Sequence, residues 1–191
     1  MATFSVPTLD QITDADARAT LEQIQKQIGM IPNLYAFEAS SPRTFQTNLA
    51  FAHAVEQANF SNREVQAIYL ATSEANGCSY CLAAHTALAQ MNGFTEAQTF
   101  DLRAGTFNDA TVGDAPKLGV LTRLTRAFVQ TQGRPDDALL DAFFDAGYTQ
   151  AHFVDLVALI SVKTFSNYLH NASDIPVDFP AAKPLPEAVA A

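Results

Sequence analysis

The stretch E-A-N-G-C-S-Y-C-L-A-A-H-T-A-L-A-Q-M-N-G, residues 74–93, holds both cysteines of the chain and one of its four histidines. Two residues separate Cys78 from Cys81, His85 follows Cys81 by four, and Glu74 precedes Cys78 by four. Asn76-Gly77 is a poor helix interior and divides the stretch. A new helix is predicted from about Cys78 to Asn92, with Gly93 at its end. A helix turns about 100° per residue, so Cys78, Cys81 and His85, at i, i+3 and i+7, point the same way. In an unbroken helix Glu74 would join them at i−4.

That placement has chemical consequences. Thiols in the first turn of a helix feel its partial positive charge, which favours the reactive thiolate. An imidazole one turn on is able to take or share the thiol proton. Two thiols at this spacing close into a disulfide once one is oxidised. The pattern therefore supplies a nucleophile, a resolving thiol and a base, with Glu74 as the nearer carboxylate partner for His85. Other readings stand beside this one. Buried cysteines are common small core residues, and the stretch is rich in Ala. Glu74 also reads as a solvated helix-end residue. Two thiolates and an imidazole on one face also suit zinc, but a closed site takes a fourth ligand. The chain has no further cysteine, and His53, His152 and His170 are isolated in sequence. No metal ligand is assigned.

Outward from this stretch, helix signals dominate. Thr13 precedes a run in which Leu21, Ile24 and Ile28 recur at helical spacing, ended by Gly29. Pro32 begins a short P-N-L-Y-A-F-E-A-S segment. Ser41-Pro42 reads as an N-cap with proline at the first helical position. Ser61 and Glu64 fit a capping box, a plain structural role for Glu64. Thr95 caps a helix that Gly105 stops. A helix then runs up to Gly133, another from Pro135 to Gly147, and the last from Thr149 through about His170. No strand, repeat or linker is evident. The final stretch, D-I-P-V-D-F-P-A-A-K-P-L-P-E-A-V-A-A, has no apolar period and is expected to lie extended on the surface or on a neighbouring subunit.

The whole chain has 191 residues, 48% of them hydrophobic, with 14 Phe and no Trp. That is enough for one domain with a large core. The formal net charge of −9 disfavours nucleic acid as a partner. No apolar run reaches the roughly 18 residues of a membrane span. The N-terminus lacks the basic start and apolar stretch of a secretory signal. A cytoplasmic location is expected, and there a cysteine pair is reduced unless it does redox work.

The segment E-A-N-G-C-S-Y-C-L-A-A-H-T resembles the alkylhydroperoxidase D-like (AhpD-like) group of the carboxymuconolactone decarboxylase superfamily. G-M-I-P-N-L at 29–34 with S-S-P at 40–42, N-R-E-V-Q-A-I-Y-L-A-T-S at 62–73, A-G-Y at 146–148 and N-Y-L-H at 167–170 are similar to other parts of that family. The likeness spans about residues 29–178. It implies an all-α, single-domain helical bundle over residues 1–178 with an extended tail at 179–191, assembled into homo-oligomers. It implies a peroxidase without a bound cofactor, reducing a hydroperoxide with electrons from a dithiol donor, a lipoyl group or a thioredoxin-like protein. By the same resemblance Cys81 is the thiol activated by His85, and Cys78 its resolving partner. A general disulfide oxidoreductase or a non-catalytic redox sensor is the alternative. The chain departs from the family at two positions. Tyr80 stands where the best-known members have histidine before the second cysteine. Gln66 stands where their relay glutamate lies, so either Glu74 substitutes or the relay is missing.

Overall fold

The architecture is an all-α bundle in which one helix is buried nearly all round. The computed structural model describes residues 4–109 and 111–186, and these form nine α-helices with no strand among them. After a 3-10 turn at Leu9–Gln11 come α1 (Ala15–Ile28), α2 (Asn33–Glu38), α3 (Pro42–Glu56), α4 (Asn62–Ala75) and α5 (Ser79–Met91). They are followed by α6 (Glu96–Ala104), α7 (Ala115–Gln130), α8 (Asp137–Asp145) and α9 (Gln150–Ser173).

The helix ends follow from local chemistry. Ser61 and Glu64 make both bonds of the expected capping box at α4. Thr95 and Thr149 begin α6 and α9 in the same way. Asp14 rather than Thr13 caps α1, its carboxylate accepting the Ala17 amide at 2.8 Å. A carboxylate at this position also meets the helix dipole favourably.

The centre is α4. Every residue from Ala67 to Ser73 is buried, as expected of a helix surrounded by others. It packs against α5, α6, α7 and α9. Phe60, Ile68 and Tyr69 meet Leu121, Leu124, Phe143, Leu156 and Leu159 in one apolar cluster. Ala67 and Leu70 meet Leu102, Phe107 and Leu118 in a second. Gly119 permits that second cluster to close. A Cβ there would lie 2.3 Å from the Phe107 carbonyl oxygen, so no larger residue fits without moving backbone.

Beyond α9 the chain is tied back onto the bundle. The Asp178 carboxylate accepts the Asn33 amide at 2.7 Å, and Phe179 packs edge-on against Tyr80. The Lys183 carbonyl accepts Arg103 Nη1 at 2.7 Å. The last five positions of the expected tail, 187–191, lie outside the described residues. No helix of the described residues is long and apolar enough to cross a membrane.

Candidate active site

Asn76-Gly77 does break the helix. Asn76 caps the end of α4, and Gly77 takes φ +64°, a conformation that costs glycine little. The chain turns and α5 folds back along α4, so Arg63 reaches the Asn92 carbonyl and Gln66 reaches His85. Helix α9 clamps the turn from the other side. Asn76 Nδ2 donates to Asn167 Oδ1 at 3.0 Å, and Asn171 Nδ2 donates to the Asn76 carbonyl at 2.8 Å.

Cys78 is the N-cap of α5, and its sulfur accepts the Cys81 amide at 3.3 Å. Cys81 lies in the first turn. Both are free thiols, 0% and 2% exposed respectively. The Cys81 thiol is drawn down to about 7, first by a hydrogen bond from the Cys78 thiol, then by the Lys163 charge and an Asn167 donor, all against burial. The Cys78 thiol is pushed up by giving that hydrogen bond and by burial; the Cys81 amide opposes this with a smaller effect. Cys81 is therefore the more acidic thiol of the pair, and Cys78 the less acidic one.

His85 is buried, and both its ring nitrogens are occupied. Nδ1 lies 2.9 Å from Gln66 Oε1, and Lys163 Nζ donates to Nε2 at 2.5 Å. An ammonium has no acceptor, so Nε2 carries the lone pair and Nδ1 the proton. Burial and the Lys163 charge hold the imidazolium well below the usual histidine range. This donor set does not suit zinc, because a cation already sits on the lone pair a metal would need. Among the described residues no group of three or more His, Cys, Asp or Glu is placed to hold a metal ion.

Glu74 is not the partner of His85. Its carboxylate pairs with Arg103 Nε at 2.8 Å, where Arg103 on α6 is 3% exposed. The turn at Asn76-Gly77 carries α5 away from the line of α4, so the i−4 relation to Cys78 has no counterpart in space. The position twelve before Cys78 does reach the histidine, but as the amide of Gln66. Tyr80 faces the other way: its hydroxyl accepts the Leu34 amide at 3.2 Å, and its ring packs on His170 and Phe179.

The sequence reading missed four polar residues beside the site. Lys163 lies among Leu159, Ile160 and Val162 on the buried side of α9. Asn167, one turn on, is fully buried and also donates to Ser73 Oγ at 3.2 Å. Glu38, 4% exposed, accepts from Asn48 at 2.9 Å and is pushed up to about 7 by burial. Glu56 accepts the Tyr69 hydroxyl at 2.7 Å. A lone lysine in the otherwise apolar run L-V-A-L-I-S-V-K-T-F, residues 156–165, was the available signal.

Residues 42–115 match the model of the carboxymuconolactone decarboxylase family. Among solved structures, a peroxidase-related protein with an alkylhydroperoxidase AhpD core from Ralstonia eutropha JMP134 superposes with a TM-score of 0.76 at 20% identity, covering 98% of this chain and 93% of that one. A peroxidase-related protein from Silicibacter sp. TM1040 gives 0.75 at 17% identity, covering 91% and 90%. A variant of the debrominase Bmp8, in complex with 2,3,4-tribromopyrrole, gives 0.76 at 14% identity and 93% of both chains. These likenesses establish the fold. No curated protein matches the chain.

Proposed function

We propose that the chain is an AhpD-like member of the carboxymuconolactone decarboxylase superfamily and that it is a thiol-dependent peroxidase working through Cys81 and Cys78. One observation carries the reading: Cys81 stands in the first turn of α5 with the sulfur of Cys78, the N-cap, accepting its amide at 3.3 Å, a setting that draws the Cys81 thiol down to about 7. A thiolate beside a thiol is what a two-step peroxide reduction needs. The Cys81 thiolate attacks the terminal oxygen of a hydroperoxide. An S–O bond forms, the O–O bond breaks, and the alkoxide leaves as the alcohol after taking one proton. Cys81 is then a sulfenic acid. The Cys78 thiol attacks that sulfur, water leaves, and the pair is a disulfide. A dithiol donor, a lipoyl group or a thioredoxin-like protein, returns two electrons and two protons. The working form in this proposal is a homo-oligomer in the cytoplasm.

A second reading is a redox sensor that uses the same pair as a switch. The near-complete burial of both sulfurs favours it, because buried thiols meet bulky donors slowly. Peroxide consumption by the pure protein with several dithiol donors separates the two. Steady turnover that falls at least about a thousandfold in Cys81→Ser supports the peroxidase. A single oxidation without turnover supports the sensor. Two free thiols remaining in excess peroxide, in folded protein, would exclude both.

A further inference from the structure

We infer that Lys163 is the positioning residue of the reactive thiolate: its buried ammonium, seated on the Nε2 lone pair of His85, is the counter-charge that keeps Cys81 an anion. The inference rests on reading Cys81 as the reactive thiol and is independent of which oxidant it meets.

Burial draws the Lys163 ammonium below the usual lysine range, and the charges of Cys81, Glu56, Cys78 and Glu38 oppose this, so the ammonium needs an offsetting anion. Lys163 is 8% exposed, and its Nζ lies 4.2 Å from the Tyr69 ring centre as well as against His85. None of the ion pairs found among the described residues includes it. Two carboxylates face it, Glu38 from α2 and Glu56 from α3, and both are engaged elsewhere, by Asn48 and by the Tyr69 hydroxyl. Burial also pushes Glu38 up to about 7, so near neutral pH it is only partly an anion. Tyr69 from α4 and Tyr35 from α2 remain neutral phenols, both raised chiefly by burial. From α5 and its N-cap the facing groups are Cys81, which supplies a negative charge as thiolate, and Cys78, the less acidic thiol.

The same contact reassigns His85. With an ammonium on Nε2 and the Gln66 carbonyl oxygen on Nδ1–H, the imidazole has no free lone pair to take the thiol proton. It is a neutral spacer that fixes where the Lys163 charge sits. Gln66 suits this arrangement, because its amide oxygen accepts from Nδ1 without adding a negative charge that would disfavour the thiolate.

The experiment uses the full chain, reduced, in wild-type, Lys163→Met and Lys163→Arg forms. Cys81 alkylation by iodoacetamide is followed against pH, the modified residue being identified by mass spectrometry. The wild-type midpoint is expected near 7. Lys163→Met should raise it by about one to two units, which slows alkylation at pH 7 about 5- to 50-fold, and Lys163→Arg should recover most of this. A mere packing role would change the amplitude or the unfolding transition and leave the midpoint in place. An unmoved midpoint in folded Lys163→Met would overturn the inference. If that variant does not fold, nitrogen NMR of wild-type His85 decides. A neutral ring protonated at Nδ1 from mildly acidic to mildly basic pH supports the proposal, and an imidazole that titrates in the ordinary range overturns it. The titration involves no peroxide. A moved midpoint with no peroxide turnover would refute the peroxidase reading alone, and turnover with an unmoved midpoint would refute this one alone.

Discussion

The cysteine pair has two dissimilar surroundings. On one side lie Lys163, His85 and Gln66, joined by hydrogen bonds, with Asn167 bonded to Ser73 beside them. On the other lie Leu34, Tyr80 and Ile175 with Phe37, Leu169 and Phe179 against them, an almost wholly apolar cover. The polar side sets the charge on sulfur. The apolar side sets who reaches it, since the sulfurs are 0% and 2% exposed. Reactivity and access are therefore held by different residues, and substitutions on each side should act on different observables.

On the polar side, Asn167 couples the most groups. It accepts from Asn76, donates to Ser73 and lies against both sulfurs. Asn167→Leu removes a donor that favours the Cys81 thiolate and leaves Ser73 and Asn76 short of partners. The expected loss is about 2–4 kcal/mol in urea unfolding, since buried polar groups left unsatisfied cost about 1–3 kcal/mol each. The Cys81 alkylation midpoint should rise as well, slowing the neutral-pH rate about three- to tenfold. A stability loss with a fixed midpoint would mean that Asn167 serves the turn and not the sulfur.

On the apolar side, Phe179 is the test. Its ring stands edge-on to Tyr80 with centroids 5.6 Å apart, and the chain carrying it is tied down by Asp178 on Asn33. Phe179→Ala loosens the cover without touching a charged group. Alkylation should quicken about tenfold, because local opening becomes easier by roughly 1.4 kcal/mol, while the pH midpoint stays where it is. A shift in the midpoint would break the division between the two sides. An unchanged rate would show that reagents enter by a different route.

The difference between what local and distant chemistry disclose is visible in these same residues. Helix ends were legible, because a cap is decided within four residues: Ser61 with Glu64, Thr95 with Gln98, the Asn76-Gly77 break. The choice of Asp14 over Thr13 was not, since two good caps stood side by side and only the fold selects one. Cys78, Cys81 and His85 were legible as a one-faced set because helical spacing alone brings them together. Lys163 comes from a helix 78 residues after His85, and nothing local in the sequence announces that contact. Gln66 stands where the resemblance places a relay glutamate. The antiparallel return of α5 along α4 makes it the hydrogen-bond partner of His85 all the same.

Glu74 supplies the smallest expected effect and the sharpest check on the placement of α5. Read along the sequence, it was the carboxylate for His85. In the fold it faces α6, where Arg103, 3% exposed, needs an anion and finds it at 2.8 Å. Arg103 also ties down the chain beyond α9 through the Lys183 carbonyl, so the pair is structural. Glu74→Gln keeps an oxygen for the Arg103 Nε–H and removes the charge. A charge-assisted bond becomes a neutral one, at a cost of about 1 kcal/mol in urea unfolding. The Cys81 alkylation midpoint should not move, and the rate should stay within about twofold, because no hydrogen bond leads from Glu74 to the polar side of the pair. A raised midpoint would be informative in sign as well as size. Removing a nearby negative charge directly should lower a thiol pKa, so an increase would require Glu74 to act through Arg103 and the chain over Tyr80, joining the two sides that the geometry keeps apart.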